Sequence, residues 1–209
     1  PQNPKTPSPF IIKYKMKFLL TEEFVKIPDG VKVSVKARVV TIEGPRGKIV
    51  KNFKHVACDF KTATLNLKAR KGKHVHIQMW FGRYKQTCQV NTLAGIIKNM
   101  FTGVTKGFVY KMRTVNNHFP INAGIAKDGK SIEIKNYLGG KARFNIKLFE
   151  GCKVENSKFL KDELIFTGID NQGLAQSCAQ ISQCCDIGRK DDRKFLDGVY
   201  VQYKGLIDE

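Results

Sequence analysis

Residues 74–120 read HVHIQMWFGRYKQTCQVNTLAGIIKNMFTGVTKGFVYKMRTVNNHFP, and the hydrophobic period changes twice within them. At the start, His74, His76 and Gln78 alternate with Val75, Ile77 and Met79, the period-two pattern of a half-buried strand. Leu93, Ile96, Ile97, Met100 and Phe101 then recur at helical spacing, which predicts a helix over 83–102. Period two returns over 107–115. A sheet with one apolar face needs a cover, and this helix supplies it before a second set of strands begins. From Asn99 to Pro120 the same stretch sets Phe101, Phe108, Tyr110 and Phe119 among Lys106, Lys111 and Arg113 without one carboxylate. An anion from outside the chain is the expected partner of those cations.

Working outward, Val31, Val33 and Val35 alternate with Lys32, Ser34 and Lys36, and Val40 and Ile42 with Thr41 and Glu43. Gly44-Pro45-Arg46-Gly47 has proline at the second turn position and glycine at the fourth, which closes a hairpin. Ile49 and Phe53 continue the pattern weakly. Downstream, strand-like segments fall at 107–115, 119–125, 131–137, 142–149 and 163–167. A second helix is predicted over 171–185, with Leu174, Cys178, Ile181 and Cys185 on one stripe and Asp170 as N-cap. The tail from Gly188 opens charged and closes on an apolar pattern at Val199 and Val201, which predicts a loop followed by a strand or a docked segment.

The halves share wording. Gly30-Val31-Lys32-Val33 matches Gly151-Cys152-Lys153-Val154, and Val40-Thr41-Ile42-Glu43-Gly44 matches Leu164-Ile165-Phe166-Thr167-Gly168. The expected fold class is α+β: two similar small domains from an internal duplication, each an antiparallel or mixed β-sheet packed against an α-helix. The expected division is an extended arm or disordered extension at 1–15, a first domain at 16–102 and a second at 103–209 that includes the tail. Residues 1–9 hold four prolines and no large core-forming residue, and MKFLLTEEF from Met16 reads like a natural protein start.

The chain has 209 residues, 42% hydrophobic, and a net charge of +19. Residues 1–100 carry 20 Lys and Arg against 5 Asp and Glu, a net of +15, whereas 101–209 carry 17 against 13, a net of +4. So large an excess raises self-repulsion and points to a polyanionic partner, nucleic acid before an anionic membrane. No apolar run approaches a membrane span, and IIKYKMKFLL is broken by three lysines, unlike a signal peptide. The six cysteines form no CxxC pair and read as small buried hydrophobes rather than a zinc or disulfide framework. No GxSxG, HExxH, Walker-type or GxGxxG motif is present, so neither an enzyme activity nor a cofactor or small-molecule substrate is expected.

Four groups of residues are candidate nucleic-acid contacts. Arg46 and Lys48 sit at the first hairpin tip, and Lys68, Arg70, Lys71 and Lys73 at another, with Gly72 permitting close approach. Lys106, Tyr110, Lys111 and Arg113 make a basic and aromatic strand or loop; as a strand, Phe108 and Tyr110 would pack one face and Lys111 and Arg113 occupy the other. Arg189, Lys190, Arg193 and Lys194 follow the second helix, with Asp191 and Asp192 between them as competing internal partners. The HxH spacing of His74 and His76 lacks a third ligand, so no metal site is expected.

Together these words resemble the universal large-subunit ribosomal protein six family, counted as protein nine in eukaryotes. The resemblance is carried by Gly44-Pro45-Arg46-Gly47, Gly103-Val104-Thr105-Lys106-Gly107-Phe108, Tyr110-Lys111-Met112-Arg113, Gly168-Ile169-Asp170-Asn171-Gln172 and the run from Asp192 to Val201. It spans Met16 to Gly205 and is closer to the eukaryotic or archaeal branch. It implies two α+β domains and a structural role in the cytoplasmic large subunit, with assembly in the nucleolus. It implies that the second domain binds rRNA near the base of the sarcin-ricin stem-loop, beside the translation-factor region. Neighbouring ribosomal proteins at the stalk base follow as partners. It also adds Asn171 and Gln172, at a helix N-terminus suited to phosphate, to the RNA-facing residues. The rival reading is a free regulatory protein that binds RNA or another polyanion outside the ribosome.

Overall fold

A computed structural model describes residues 19–67, 70–158 and 160–207, with the side chains of 65–71 left out. The expected arm at 1–15 and the candidate contacts of Lys68, Arg70 and Lys71 lie outside these described side chains. In the first half, β1 (Leu20–Lys26), β2 (Lys32–Lys36), β3 (Val39–Gly44), β4 (Gly47–Asn52), β5 (Asp59–Leu67) and β6 (Arg70–Trp80) precede α1 (Tyr84–Thr105). In the second, β7 (Phe108–Val115), β8 (Asn122–Ile125), β9 (Ser131–Lys135), β10 (Arg143–Lys147), β11 (Cys152–Asn156) and β12 (Glu163–Gly168) precede α2 (Asn171–Cys184), and β13 (Gly198–Leu206) follows. The protein is therefore mixed α+β, and all its described strand pairs are antiparallel.

The two halves repeat one another in topology. In each, the strand before the helix lies between the first strand and the fifth, giving β1-β6-β5 and β7-β12-β11. The remaining three strands form a meander, β2-β3-β4 and β8-β9-β10. Among the described strands only β13 has no counterpart; it adds to the far side of β7 with a register shift between Val201 and Tyr203. The shared wording follows a different correspondence. It sets β2 and β3 against β11 and β12, and these hairpins do pair alike, Lys32 with Glu43 and Lys153 with Thr167. Both are entered through a glycine at φ +82°. In the topology, however, β2 and β3 correspond to β8 and β9, so the matched words describe similar hairpins at different places.

Burial follows the period. On β6, Val75, Ile77 and Met79 are buried and face α1, whose Val90, Leu93, Ala94, Ile97, Met100, Phe101 and Val104 close the first core. Helix α2 buries Leu174, Cys178 and Ile181 against Met112, Phe166 and Val199 in the second core. Burying each of these larger side chains contributes about 1.5–3 kcal/mol, offset by the entropy of ordering the chain. No helix among the described residues is long and apolar enough to cross a membrane.

The halves meet tightly at the end of α1. A Cβ at Gly103 would collide with the Ile169 carbonyl oxygen, and one at Gly44 would come within 2.8 Å of Val104. Both positions need the hydrogen of glycine. The Lys51 ammonium of β4 crosses the seam to Asp170 at 2.8 Å and to the Gln172 side-chain oxygen at 3.0 Å.

Candidate nucleic-acid interface

Strand β7 separates its side chains as a strand must. Phe108, Tyr110, Met112 and Thr114 are buried, whereas Lys111 is half-buried and Arg113 exposed on the other face. On that face β13 brings Tyr203 opposite Lys111 and Tyr200 opposite Arg113, with the Lys111 ammonium 5.5 Å from the Tyr203 ring centre. Tyr200 and Tyr203 are themselves exposed. The outer surface of this sheet thus pairs cations with accessible rings, a surface chemistry that suits phosphates and bases. Tyr110 belongs to the inner face. Its hydroxyl donates to the Asn171 side-chain oxygen at 2.8 Å, and burial pushes its pKa up.

The segment between α2 and β13 holds Arg189, Lys190, Arg193 and Lys194, all exposed. Among the described residues none of the four forms an ion pair with Asp191 or Asp192. Asp191 instead shapes the turn, its carboxylate accepting from the Arg193 backbone N–H at 2.9 Å. The Lys190 ammonium rests 4.7 Å from the Phe195 ring centre. Lys106 caps α1 and opens on a groove of about 390 Å³ that Lys26 and Lys98 also line. Lys26 and Lys98 were not singled out in the sequence. Their signal was weak, because one ends a strand and the other lies among the helical apolar residues.

Other expected contacts are engaged within the chain. The Arg46 backbone N–H donates to Val104 O and its Nε to Thr105 O, both at 3.1 Å, so Arg46 serves the open carbonyls at the end of α1. Lys48 lies 3.0 Å from Glu43, an exposed pair of little energetic weight. The Asn171 oxygen is taken by Tyr110 and the Gln172 oxygen by Lys51. Asp170 caps α2 by accepting from the Gln172 N–H at 3.3 Å, so a carboxylate already stands at this helix N-terminus. Lys73 is exposed on β6.

His74 is buried with its Nδ1 3.0 Å from Gly72 O, and His76 lies 3.0 Å from Glu22 and stacks on Phe24. Cys58, Cys152, Cys178 and Cys185 are buried and free, and burial raises all four thiol pKa values, that of Cys178 to about 12. Such thiols are protonated and poor nucleophiles at neutral pH.

Comparison with known proteins gives a consistent answer. The family described as Ribosomal protein L6 matches residues 27–107. The chain is 41% identical to large ribosomal subunit protein uL6A of Saccharomyces cerevisiae over 196 residues, which covers 93% of this chain and 99% of that one. It is 43% identical over the same length to uL6 of Candida albicans, with the same coverage. It is 40% identical over 191 residues to uL6 of Tetrahymena thermophila, covering 91% of this chain and 98% of the relative.

Proposed function

Because the chain belongs to the ribosomal protein L6 family, we propose that it binds large-subunit rRNA near the base of the sarcin-ricin stem-loop and supports the translation-factor region. It is a structural, non-enzymatic constituent of the large ribosomal subunit, with large-subunit rRNA and ribosomal proteins as its partners. Within the proposal, those neighbours lie at the stalk base and assembly begins in the nucleolus. Within it too, the domain boundary falls at 102/103, in the last turn of α1, and the halves descend from one duplicated unit. The repeated strand order and the two separate cores support that descent.

The observation that carries the binding reading is the loop before β13. Its four exposed cations lack carboxylate partners among the described residues, and it leads directly into the tyrosine- and cation-bearing sheet face. Lys106, Lys111, Arg113, Arg189, Lys190, Arg193 and Lys194 are the proposed phosphate contacts, with Asn171 and Gln172 at their margin. Arg46, Lys48, Lys68, Arg70, Lys71 and Lys73 are the proposed second set of contacts, from the first half, toward peripheral rRNA. Recognition rests on backbone shape more than on bases, since a folded RNA junction presents phosphates first.

The test uses the full chain and an RNA comprising the stem-loop and its base, with an unrelated stem-loop of equal length as control. Preferential binding of the first, weakened when Arg189, Lys190, Arg193 and Lys194 are all changed to Ala, supports the reading. Equal affinity for both RNAs overturns it and favours a general polyanion binder.

A further inference from the structure

Where β6 turns into α1, the chain exposes an apolar corner that neither core uses. Leu19 is 69% exposed, Trp80 54%, Phe81 64% and Tyr84 64%. Leu19, Trp80 and Phe81 are drawn together because Leu20 pairs with Trp80 and the Phe81 N–H donates to Leu19 O at 3.0 Å, and Tyr84 opens α1 three residues on. Phe81 adopts φ +51°, a left-handed conformation rare for an aromatic residue. The next residue is closely packed as well, since a Cβ at Gly82 would come within 2.8 Å of the Met79 sulfur and 3.1 Å of the Thr87 side chain. The turn therefore holds Phe81 in a costly conformation that delivers its ring to solvent. A strained, exposed aromatic held in its turn points toward use.

The charges at the corner decide what fits it. Arg83 and Lys85 are exposed and form no ion pair among the described residues. No Asp or Glu occurs between Asp59 and Asp128. On the facing strand the Glu22 carboxylate is already 3.0 Å from His76. Flat rings flanked by uncompensated cations complement a flat, anionic ligand. A protein partner would need acidic groups placed against both cations, whereas a nucleic acid brings phosphates with every base.

We propose that Trp80, Phe81 and Tyr84, flanked by Arg83 and Lys85, form a stacking site for unpaired RNA bases. The proposal rests on the rRNA-binding reading and adds a second attachment, in the first half, of a different kind. The second half grips folded RNA by its phosphates. This corner takes bases that are out of a helix, where aromatic stacking is strongest and least dependent on sequence.

Trp80 is the chain's single tryptophan, so its fluorescence reports on this corner alone. Cys88, one turn beyond Tyr84 and exposed, gives a second reporter through its rate of alkylation. The full chain is titrated with an oligoadenylate of about ten nucleotides and with a fully paired RNA hairpin of equal phosphate count. The oligoadenylate is expected to quench Trp80 and to slow alkylation of Cys88, and the hairpin to do neither. Phe81→Ala should weaken oligoadenylate binding by roughly five- to a hundredfold without lowering Tm. Equal quenching by the hairpin would reduce the corner to a nonspecific cationic patch and overturn the proposal. Absent quenching by any RNA, with stem-loop binding intact, would overturn it and leave the rRNA reading standing; loss of both would sink both. In purified large subunits, shielding of Cys88 from alkylation, read by mass spectrometry of this chain's own peptide, should end with RNase digestion. Shielding that survives digestion would assign the corner to a neighbouring protein and overturn the proposal.

Discussion

Cys178 and Cys185 lie along the inward side of α2, and burial pushes their thiols from 9.0 up to about 12 and about 11. Burial likewise pushes the Tyr137 phenol from 10.0 up to about 12. As pH rises through 9 and 10, the unfolded chain loses these protons while the folded chain keeps them. The unfolded state then binds fewer protons, so stability must fall with rising pH. The contribution is complete below about pH 9 and is lost progressively toward pH 12. Thermal unfolding followed from pH 7 to pH 10.5 should show a flat Tm, then a decline. Replacing Cys178 with Val should shallow that decline. At neutral pH, mass spectrometry after a brief maleimide pulse should find Cys88 modified and the four buried thiols spared. The stripe that buries Cys178 and Cys185 was legible as period alone. The neighbouring hairpin of β2 and β3 was legible only in its strands. Its turn uses Ala37 at φ 47° and Arg38 at φ 63°, residues that give no turn signal. Arg38 is held there from outside its own hairpin, by its carbonyl accepting from the Phe53 N–H at 2.9 Å and its guanidinium donating to Val56 O at 3.3 Å.

Helix α1 contains two interior glycines with opposite reasons to exist. Nothing lies within 4 Å of a Cβ built at Gly95, whereas one at Gly103 runs into the Ile169 backbone of the other half. Gly95→Ala should therefore stabilise the protein by about 0.5–1 kcal/mol, the ordinary cost of glycine in a helix. Gly103→Ala should destabilise it by about 2–4 kcal/mol, because two packed backbones must separate. Equilibrium denaturation of both variants checks the signs, and equal stabilisation by both would refute the tight seam. Periodicity placed the end of this helix near 102; it runs through Thr105, since the last turn is secured by packing and by Arg46, which come from elsewhere in the chain. Strand β1 was hidden for a related reason. LTEEFVK does not alternate cleanly, and its identity comes from its seven-residue ladder with β6. The candidate contacts divide in the same way. Cations on β7 and before β13 were legible because strand period and loop composition place them outward. Arg46, Asn171 and Gln172 were read outward too, but their side chains are engaged by distant partners that a linear pattern does not contain.

Across the whole molecule, charge and the proposed rRNA anchor point at different halves: +15 lies in residues 1–100 and +4 in residues 101–209. Lysines can differ in role while counting equally in that sum. Lys51 is the clearest case, because its ammonium is committed to Asp170 and Gln172 across the seam, with its side chain only 16% exposed. Lys51→Met should lower stability by about 1 kcal/mol, the order of a partly buried, hydrogen-bonded pair. It should leave the dependence of RNA affinity on salt unchanged, since no phosphate contact is lost. Changing Arg189, Lys190, Arg193 and Lys194 to Ala should do the reverse. Their side chains support no described ion pair, so unfolding should shift by less than about 0.5 kcal/mol. The slope of log affinity against log salt should flatten by roughly one unit for each phosphate contact removed. Measuring denaturation and salt-dependent stem-loop binding on both variants separates cations that hold the halves together from cations that hold RNA. If Lys51→Met flattens the slope, the seam itself lies against RNA. If the loop variant leaves the slope intact, the anchor is elsewhere, and the cations of β7 or of the first half become its next address.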